Sequence, residues 1–328
     1  ALRQMLSQST LSPAERRFLE DGVRQGFRND GRGLLDYRPY TVETGILPST
    51  SGSSRVRSFG TDVLCAVKVD MGSPPADKPD EGVVSVNVEC SASVAPHGEL
   101  EGGSSSRATG RVGGGRRDDS GEGWSAYLGA LLDDLCLPPC ALDKKALCVS
   151  PHVYAWHVNV DILLLNAAGG VLDAMSLAMR SALRDTTLPS VSVGSRDEWE
   201  EEDTADGVQQ SKPPFDVDER PTAGTPFPAQ DIPVCVTVGQ VCSHYVWDMS
   251  SEEESCAEAQ VTVAVDRNGR CVAVHKSGMA SIDPTGLLQV LKDAGRVGVE
   301  LIKKLEAAMA KLGTGQPVVR ERLGFMAA

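Results

Sequence analysis

At 328 residues and 41% hydrophobic content, the chain is long enough to bury one large core or two modest ones, and aromatics are so scarce (5%) that Val, Leu, Ala and Ile must fill it. A formal net charge of −13 argues against a free-standing nucleic-acid binder, though not against a subunit that carries a local basic patch. No run of eighteen apolar residues is present, so no membrane span is expected, and the polar Ala1–Thr10 stretch lacks the apolar block of a secretory signal.

In chain order, Ser12-Pro13-Ala14-Glu15 reads as a capping box that starts a helix through Phe18, Leu19 and Val23, fraying toward Gly26. After the charged turn Arg28 to Gly33, four strand-like segments are expected in hairpin order: Tyr40–Thr44, Ser54–Ser58, Asp62–Met71 and Val83–Cys90. Gly52-Ser53 and Gly60-Thr61 serve as turn signals, and the apolar Asp62–Val69 stretch is expected to lie centrally in its sheet. Residues 97–123, rich in Gly, Ser and Arg, cannot bury enough apolar surface and read as a flexible insertion. A helix from about Trp124 to Leu135 and a strand at Lys145–Val149 follow.

The most informative stretch is His157 to Leu183. Val158–Leu165 is a strand too apolar to expect a solvated face, Gly169-Gly170 is a tight turn, and a helix then places Leu172, Met175, Met179 and Leu183 at three- and four-residue spacing. A helix opened by glycines is where an anion can bind, because free N–H groups point out of its start. Here the glycines are followed by Val171-Leu172-Asp173, with no Thr, Ser, Lys or Arg to hold one.

Residues 194–228, acidic and Pro-rich, are expected to be disordered. The pattern then restarts with strands at Val234–Val241 and His244–Asp248, then Glu258–Val265 and Arg270–His275 joined by an Asp266-Arg267-Asn268-Gly269 turn, and a closing helix over Pro284–Leu312. The order implies an α+β fold of mixed sheets with helices packed on one side. Four segments are expected: an N-terminal helical segment 1–27, a first half 28–193, the acidic insert 194–228, and a second half 229–328. The nine cysteines are scattered. Only Cys136 and Cys140 are close in sequence, with no second pair at zinc-site spacing, so the thiols read as small buried hydrophobes of a reducing compartment.

Laid out this way, the chain resembles the RNase PH superfamily, and within it the ring subunits of the eukaryotic RNA exosome. The resemblance rests on Arg28-Asn29-Asp30-Gly31-Arg32 with Asp36-Tyr37-Arg38, on Thr50 to Val56, on Gly60 to Val63, and on Val67 to Gly72. It continues through Val160 to Leu165 with Gly169-Gly170 and Asp173-Ala174, then Glu252-Glu253-Glu254 and Gly278 to Pro284. Each motif is weak alone, whereas their order and spacing are specific. The family implies an RNase PH-like fold (ribosomal protein S5 domain 2-like), a duplicated β-α module. Six such subunits form a ring around an RNA channel.

In active members, phosphorolysis uses a Gly-Gly-Thr-Arg or Gly-Ser-Arg type turn for the attacking phosphate, aspartates that work with a metal, and basic residues that guide RNA. Matched residue by residue, Ala168, Val171 and Leu172 stand where the phosphate site would be, so that site is read as lost. A bidentate guanidinium contact to phosphate would go with it. Asp248 and Glu254 match two acidic positions, while Ser250 and Gln260 stand where further aspartates are usual. The pair is expected to be a structural or solvated face, with no metal and no cofactor. The five histidines lie in no motif with a Ser or Cys nucleophile.

Arg55, Arg57, Arg107, Arg111, Arg116 and Arg117 are the candidate RNA contacts, since Gly/Arg-rich segments bind phosphates without sequence preference. Helix 124–135 carries no Lys or Arg and includes Asp133 and Asp134, where an archaeal paralogue bears channel-facing arginines. The resemblance therefore implies a catalytically inactive ring subunit that supports 3'-5' RNA processing and degradation, rRNA maturation and mRNA turnover included. Its implied partners are other RNase PH-like subunits of a hetero-hexameric ring, cap subunits with S1 and KH domains, and RNA in the channel, with no membrane. Nucleus, nucleolus and cytoplasm are the implied locations. The alternative is a residually active phosphate- or Mg-dependent 3'-5' exoribonuclease built on Asp248 and Glu254.

Overall fold

A computed structural model describes residues 11–91, 94, 119–193, 200–203, 209–212, 215–218 and 224–312. The first helix, α1 (Pro13–Arg24), begins as its sequence dictates: the Ser12 hydroxyl accepts from the Glu15 N–H and the Glu15 carboxylate accepts from the Ser12 N–H. It buries Leu19 and Val23 against Val241, Val246, Met249 and Cys256 of the second half.

The first sheet holds β1 (Tyr40–Thr44), β2 (Gly52–Ser58), β3 (Thr61–Gly72), β4 (Val83–Cys90), β5 (Cys148–Ser150) and β6 (Tyr154–Asn166), in the order β1-β2-β3-β6-β4 with β5 on β6. The central place of β3 follows from its alternation, with Val63, Cys65 and Val67 buried on one face. Hairpin order does not hold throughout. The strand β4 leaves β3 and pairs with β6 in parallel, Val84 opposite Val158 and Val88 opposite Ile162.

Two further local readings change. Gly52-Ser53 is part of β2 rather than a turn, and glycine is needed at position 52 because a Cβ there would sit 2.7 Å from the Ala182 carbonyl oxygen. Lys144–Leu147 forms a 3-10 turn instead of a strand, because the Asp143 carboxylate accepts from the Lys145 N–H and closes it. In β6 the residues Val158, Val160, Ile162 and Leu164 are buried, but Asp161 is exposed and accepts from the Asn87 amide. The strand therefore has a solvated face after all, despite its apolar composition.

The helix α2 (Asp119–Cys136) lies against β4, and α3 (Val171–Asp185) lies across β2 and β3. The second sheet is β14-β13-β15-β16, built from β13 (Val234–Val241), β14 (His244–Trp247), β15 (Ala259–Val265) and β16 (Cys271–Gly278), all antiparallel. A short helix, α4 (Ser251–Cys256), joins β14 to β15, and α5 (Pro284–Leu312) packs on β13, β15 and β1. Because α3 also packs on β13, it is the layer between the two sheets, and every residue from Asp173 to Leu183 is buried. Packed between two sheets, this helix has no polar face for solvent. Burying side chains such as Met175, Met179 and Leu183 stabilises each by roughly 1.5–3 kcal/mol.

Between the halves are short antiparallel pairs: β7 (Thr187–Leu188) with β12 (Thr225–Pro226), β8 (Ser190–Val193) with β11 (Phe215–Asp218), and β9 (Glu200–Asp203) with β10 (Gln209–Lys212). Disorder, expected over 194–228, does not describe β9 to β12, which fall within that range and pair with one another or with β7 and β8. Phe215 anchors one of them, its ring 4.9 Å from that of Tyr154 in an edge-on contact. Residues 194–199, 204–208, 213–214 and 219–223 of that insert, and residues 97–118, lie outside the described residues. Among the described residues no helix is long and apolar enough to cross a membrane.

Candidate functional site

Three elements meet at the glycine turn: the end of β6 with the start of α3, the loop from β14 into α4, and the segment after α1. Gly169 and Gly170 both adopt left-handed backbone, with φ of 97° and 61°. A Cβ at Gly169 would lie 2.7 Å from the Ser251 nitrogen, and one at Gly170 would lie 2.8 Å from Arg38 Nη2. The glycines therefore admit the β14–α4 loop and Arg38. Thr61 fastens the turn from below, its hydroxyl donating to the Gly169 carbonyl (2.7 Å) and accepting from the Ala168 N–H (3.0 Å).

The start of α3 carries no side-chain cap of its own. Instead the Gly170 N–H donates to Glu254 Oε1 at 2.8 Å. The group at this helix start is thus a carboxyl of the same chain, delivered by α4. Burial pushes the Glu254 carboxyl up to about 7, against the opposing pull of the Gly170 N–H and the Arg38 charge. Val171 and Leu172, the first residues of α3, are half-buried and pack against the hydrophobic core. The Ala168 carbonyl accepts from Arg38 Nη1 (3.0 Å) and from the Ser251 N–H (3.1 Å).

Asp248 stands beside this turn in left-handed backbone (φ 45°) and is 4% exposed. Both its oxygens are committed. Arg38 reaches Oδ1 at 2.6 Å and Oδ2 at 3.0 Å, the Arg38 N–H reaches Oδ2 at 2.7 Å, and Arg32 reaches Oδ2 at 3.1 Å. Arg28, fully buried, grips Glu253 with two bonds (2.9 and 2.6 Å) and donates to the Trp247 and Asp248 carbonyls. Glu253 also closes a capping box with Ser250, which accounts for α4. In the first turn of α3, Asp173 accepts from the Thr237 hydroxyl (2.6 Å), the Thr237 N–H (3.0 Å) and the Tyr37 hydroxyl (2.7 Å). Burial pushes its carboxyl up to about 6 despite those three bonds.

A divalent cation takes oxygen ligands whose lone pairs are not already held by cationic or N–H donors. With Asp248 spent on arginines and Glu254 on Gly170, this donor set does not fit one, and among the described residues no group of three His, Cys, Asp or Glu could hold a metal. Asp248 and Glu254 both reach this turn as structural acids, Asp248 buried among arginines and Glu254 half-buried on the Gly170 N–H.

The sequence reading assigned no role to Arg28, Arg38, Glu253, Asp173, Tyr37 or Thr237. One signal for Glu253 was available, the Ser250-x-x-Glu253 spacing of a capping box. Arg55 pairs with Asp62 through two bonds (2.9 and 2.7 Å), and Arg57 lies 3.9 Å from Glu43 and 3.7 Å from Asp62. Both are on β2, partly exposed and beside acids. Arg107, Arg111, Arg116 and Arg117 lie outside the described residues.

Known proteins of this architecture share names. A Dictyostelium discoideum protein named as an exosome complex exonuclease, RRP42, is 26% identical over 92% of this chain and 98% of its own length. The exosome complex component Rrp42 of Thermococcus gammatolerans is 28% identical over 88% of this chain and 92% of its own. Among solved structures, one described as the archaeal exosome core matches at 25% identity with a TM-score of 0.67, over 89% of this chain and 96% of that one. A chain of the Archaeoglobus fulgidus exosome with RNA bound to the active site matches at 26% identity and 0.65, over 88% and 96%. Residues 36–189 match domain 1 of the 3' exoribonuclease family (RNase PH), and residues 231–296 match its domain 2. These two stretches follow the family's own order and fall on the two sheets, and the chain belongs to the 3' exoribonuclease family.

Proposed function

We propose that this chain is a ring subunit of an RNA exosome core that performs no phosphorolysis itself and supports 3'-5' RNA processing and degradation by shaping the RNA channel. Relatives and solved neighbours named as exosome components support the assembly. One observation carries the loss of chemistry: the helix start that could receive phosphate already receives Glu254, beside Val171 and Leu172. An incoming phosphate would have to displace the half-buried Glu254 carboxyl from the Gly170 N–H, with no Thr, Ser or Arg in α3's first turn to help hold it. The partners of this role are other RNase PH-like subunits, cap subunits with S1 and KH domains, and RNA, in the nucleus, nucleolus and cytoplasm.

The test is to incubate the purified chain, alone and with co-purified ring partners, with RNA, Mg²⁺ and orthophosphate. The expected result is stoichiometric association with RNase PH-like partners and no nucleoside diphosphate release by the chain alone. Release by the chain alone, abolished in Asp248→Asn, overturns the proposal in favour of a phosphate- or Mg-dependent 3'-5' exoribonuclease.

A further inference from the structure

Cys136 ends α2 in the first half of the chain, and Cys235 lies at the start of β13 in the second. Both are fully buried in the same core cluster, with their sulfurs 3.8 Å apart. Cys136 is close to Cys140 in sequence, but it is Cys235, 99 positions away, that it touches. Each thiol is held on a regular element, and the Cys235 N–H donates to the Ser176 hydroxyl at 2.9 Å, so β13 is pinned to α3 at this point. No other thiol–thiol hydrogen-bond contact occurs among the described residues.

Two sulfurs at van der Waals distance need to approach by less than ~2 Å to reach disulfide length, a movement on the scale of side-chain rotation. We propose that Cys136 and Cys235 form a peroxide-convertible thiol pair whose disulfide ties the first half of the chain to the second. The oxidant is hydrogen peroxide, small enough to enter where a bulky disulfide is not. One thiol sulfur attacks a peroxide oxygen, so the O–O bond breaks, an S–O bond forms, and the thiol proton leaves with the departing hydroxide as water. The second thiol sulfur then attacks the sulfenic sulfur, forming S–S and breaking S–O, and its proton leaves in a second water. Two thiols and one peroxide thus give one disulfide and two waters.

The contact with Cys136, and then burial, hold the Cys235 thiol well above its ordinary range, so the reaction is slow in the closed fold. Once formed, the bridge is shielded from reductants by the same burial. It closes a loop of roughly 100 residues, the class of loop for which a crosslink restricts the unfolded chain most.

To test this, the exposed thiols of the full chain are first blocked with iodoacetamide under native conditions. The chain is then treated with hydrogen peroxide, unfolded in N-ethylmaleimide, and digested without reduction for mass spectrometry. The expected product is a linked pair of peptides containing Cys136 and Cys235, lighter by two hydrogen atoms than their sum, together with a higher melting midpoint than the untreated chain. In Cys136→Ala both the linked pair and the melting shift should vanish. Recovery of the two cysteines as maleimide adducts or as sulfinic or sulfonic acids overturns the proposal. So does a linked product that melts no higher, or an unchanged melting shift in Cys136→Ala.

Discussion

Two arginine–carboxylate clusters in this molecule use the same residue types to opposite effect. At the glycine turn, Arg28 and Arg38 are buried with Glu253 and Asp248, and with Arg32 they form a closed network of charge-assisted bonds. On β2, Arg55 and Arg57 face Asp62 and Glu43 with side chains 30% and 37% exposed. In the first cluster Arg28, Arg38, Glu253 and Asp248 have lost nearly all their water and must be matched within the protein. In the second, solvent already stabilises the charges, the pairs add little, and the arginines remain able to exchange a carboxylate for another anion. Burial, more than residue identity, separates the fastening from the candidate contact surface.

The sharpest way to break this comparison is to remove one member of the buried network. Arg38→Ala removes the guanidinium bonds to both Asp248 oxygens, leaving only the residue-38 N–H and Arg32, and should cost about 3–5 kcal/mol, read as a lower urea midpoint at unchanged slope. A loss below 1 kcal/mol would mean that Asp248 finds water, and that the site is more open than described.

The next largest effect is on pH. The Glu254 carboxyl is held at about 7 in the folded chain against an ordinary value of 4.5. The folded state therefore keeps a proton that the unfolded chain releases. This contribution to stability is full below about pH 4.5 and is lost as pH rises through 7, amounting to a few kcal/mol. Asp173, pushed up to about 6, acts in the same direction. Glu254→Gln keeps an oxygen for the Gly170 N–H and cannot ionise, so its urea midpoint should fall less than that of the wild type between pH 5.5 and 8. Parallel pH profiles would show that Glu254 does not hold the proton in the folded chain.

Smaller still, Thr237→Val deletes a hydroxyl that donates to Asp173 and should cost about 2 kcal/mol. Arg55→Ala, at the exposed cluster, should change stability by less than ~1 kcal/mol. If Arg55 touches RNA, filter binding to single-stranded RNA at low salt should weaken in that variant with no change in melting. Equal RNA binding would assign Arg55 to its Asp62 pair alone.

The features legible in the sequence are those with local causes. Ser12 and Glu15 announce α1, the apolar Asp62–Val69 run points to a central β3, and the apolar face of Pro284–Leu312 delimits α5. The glycines at 169 and 170 announce a close approach, and the absence of an anion-holding residue after them is plain in the order of residues. Features with distant causes stayed hidden. The parallel pairing of β4 with β6 depends on a crossover that no local pattern encodes. Arg28 and Glu253 are 225 positions apart, and nothing near either one names the other. Glu254 looked like half of an acidic pair with Asp248, because sequence spacing cannot tell that one carboxylate faces arginines while its neighbour faces a helix start. The polar face of β6 was missed because composition was read without the alternation that Asn159 and Asp161 impose.

The central claim is that Glu254 occupies the place where a phosphate would bind. Its most direct test is to follow the Gly170 backbone amide by NMR while orthophosphate is added at neutral pH. The account predicts a resonance that does not move beyond the general effect of ionic strength. A saturable shift of the Gly170 amide, reaching a plateau with phosphate and absent with chloride, would contradict it.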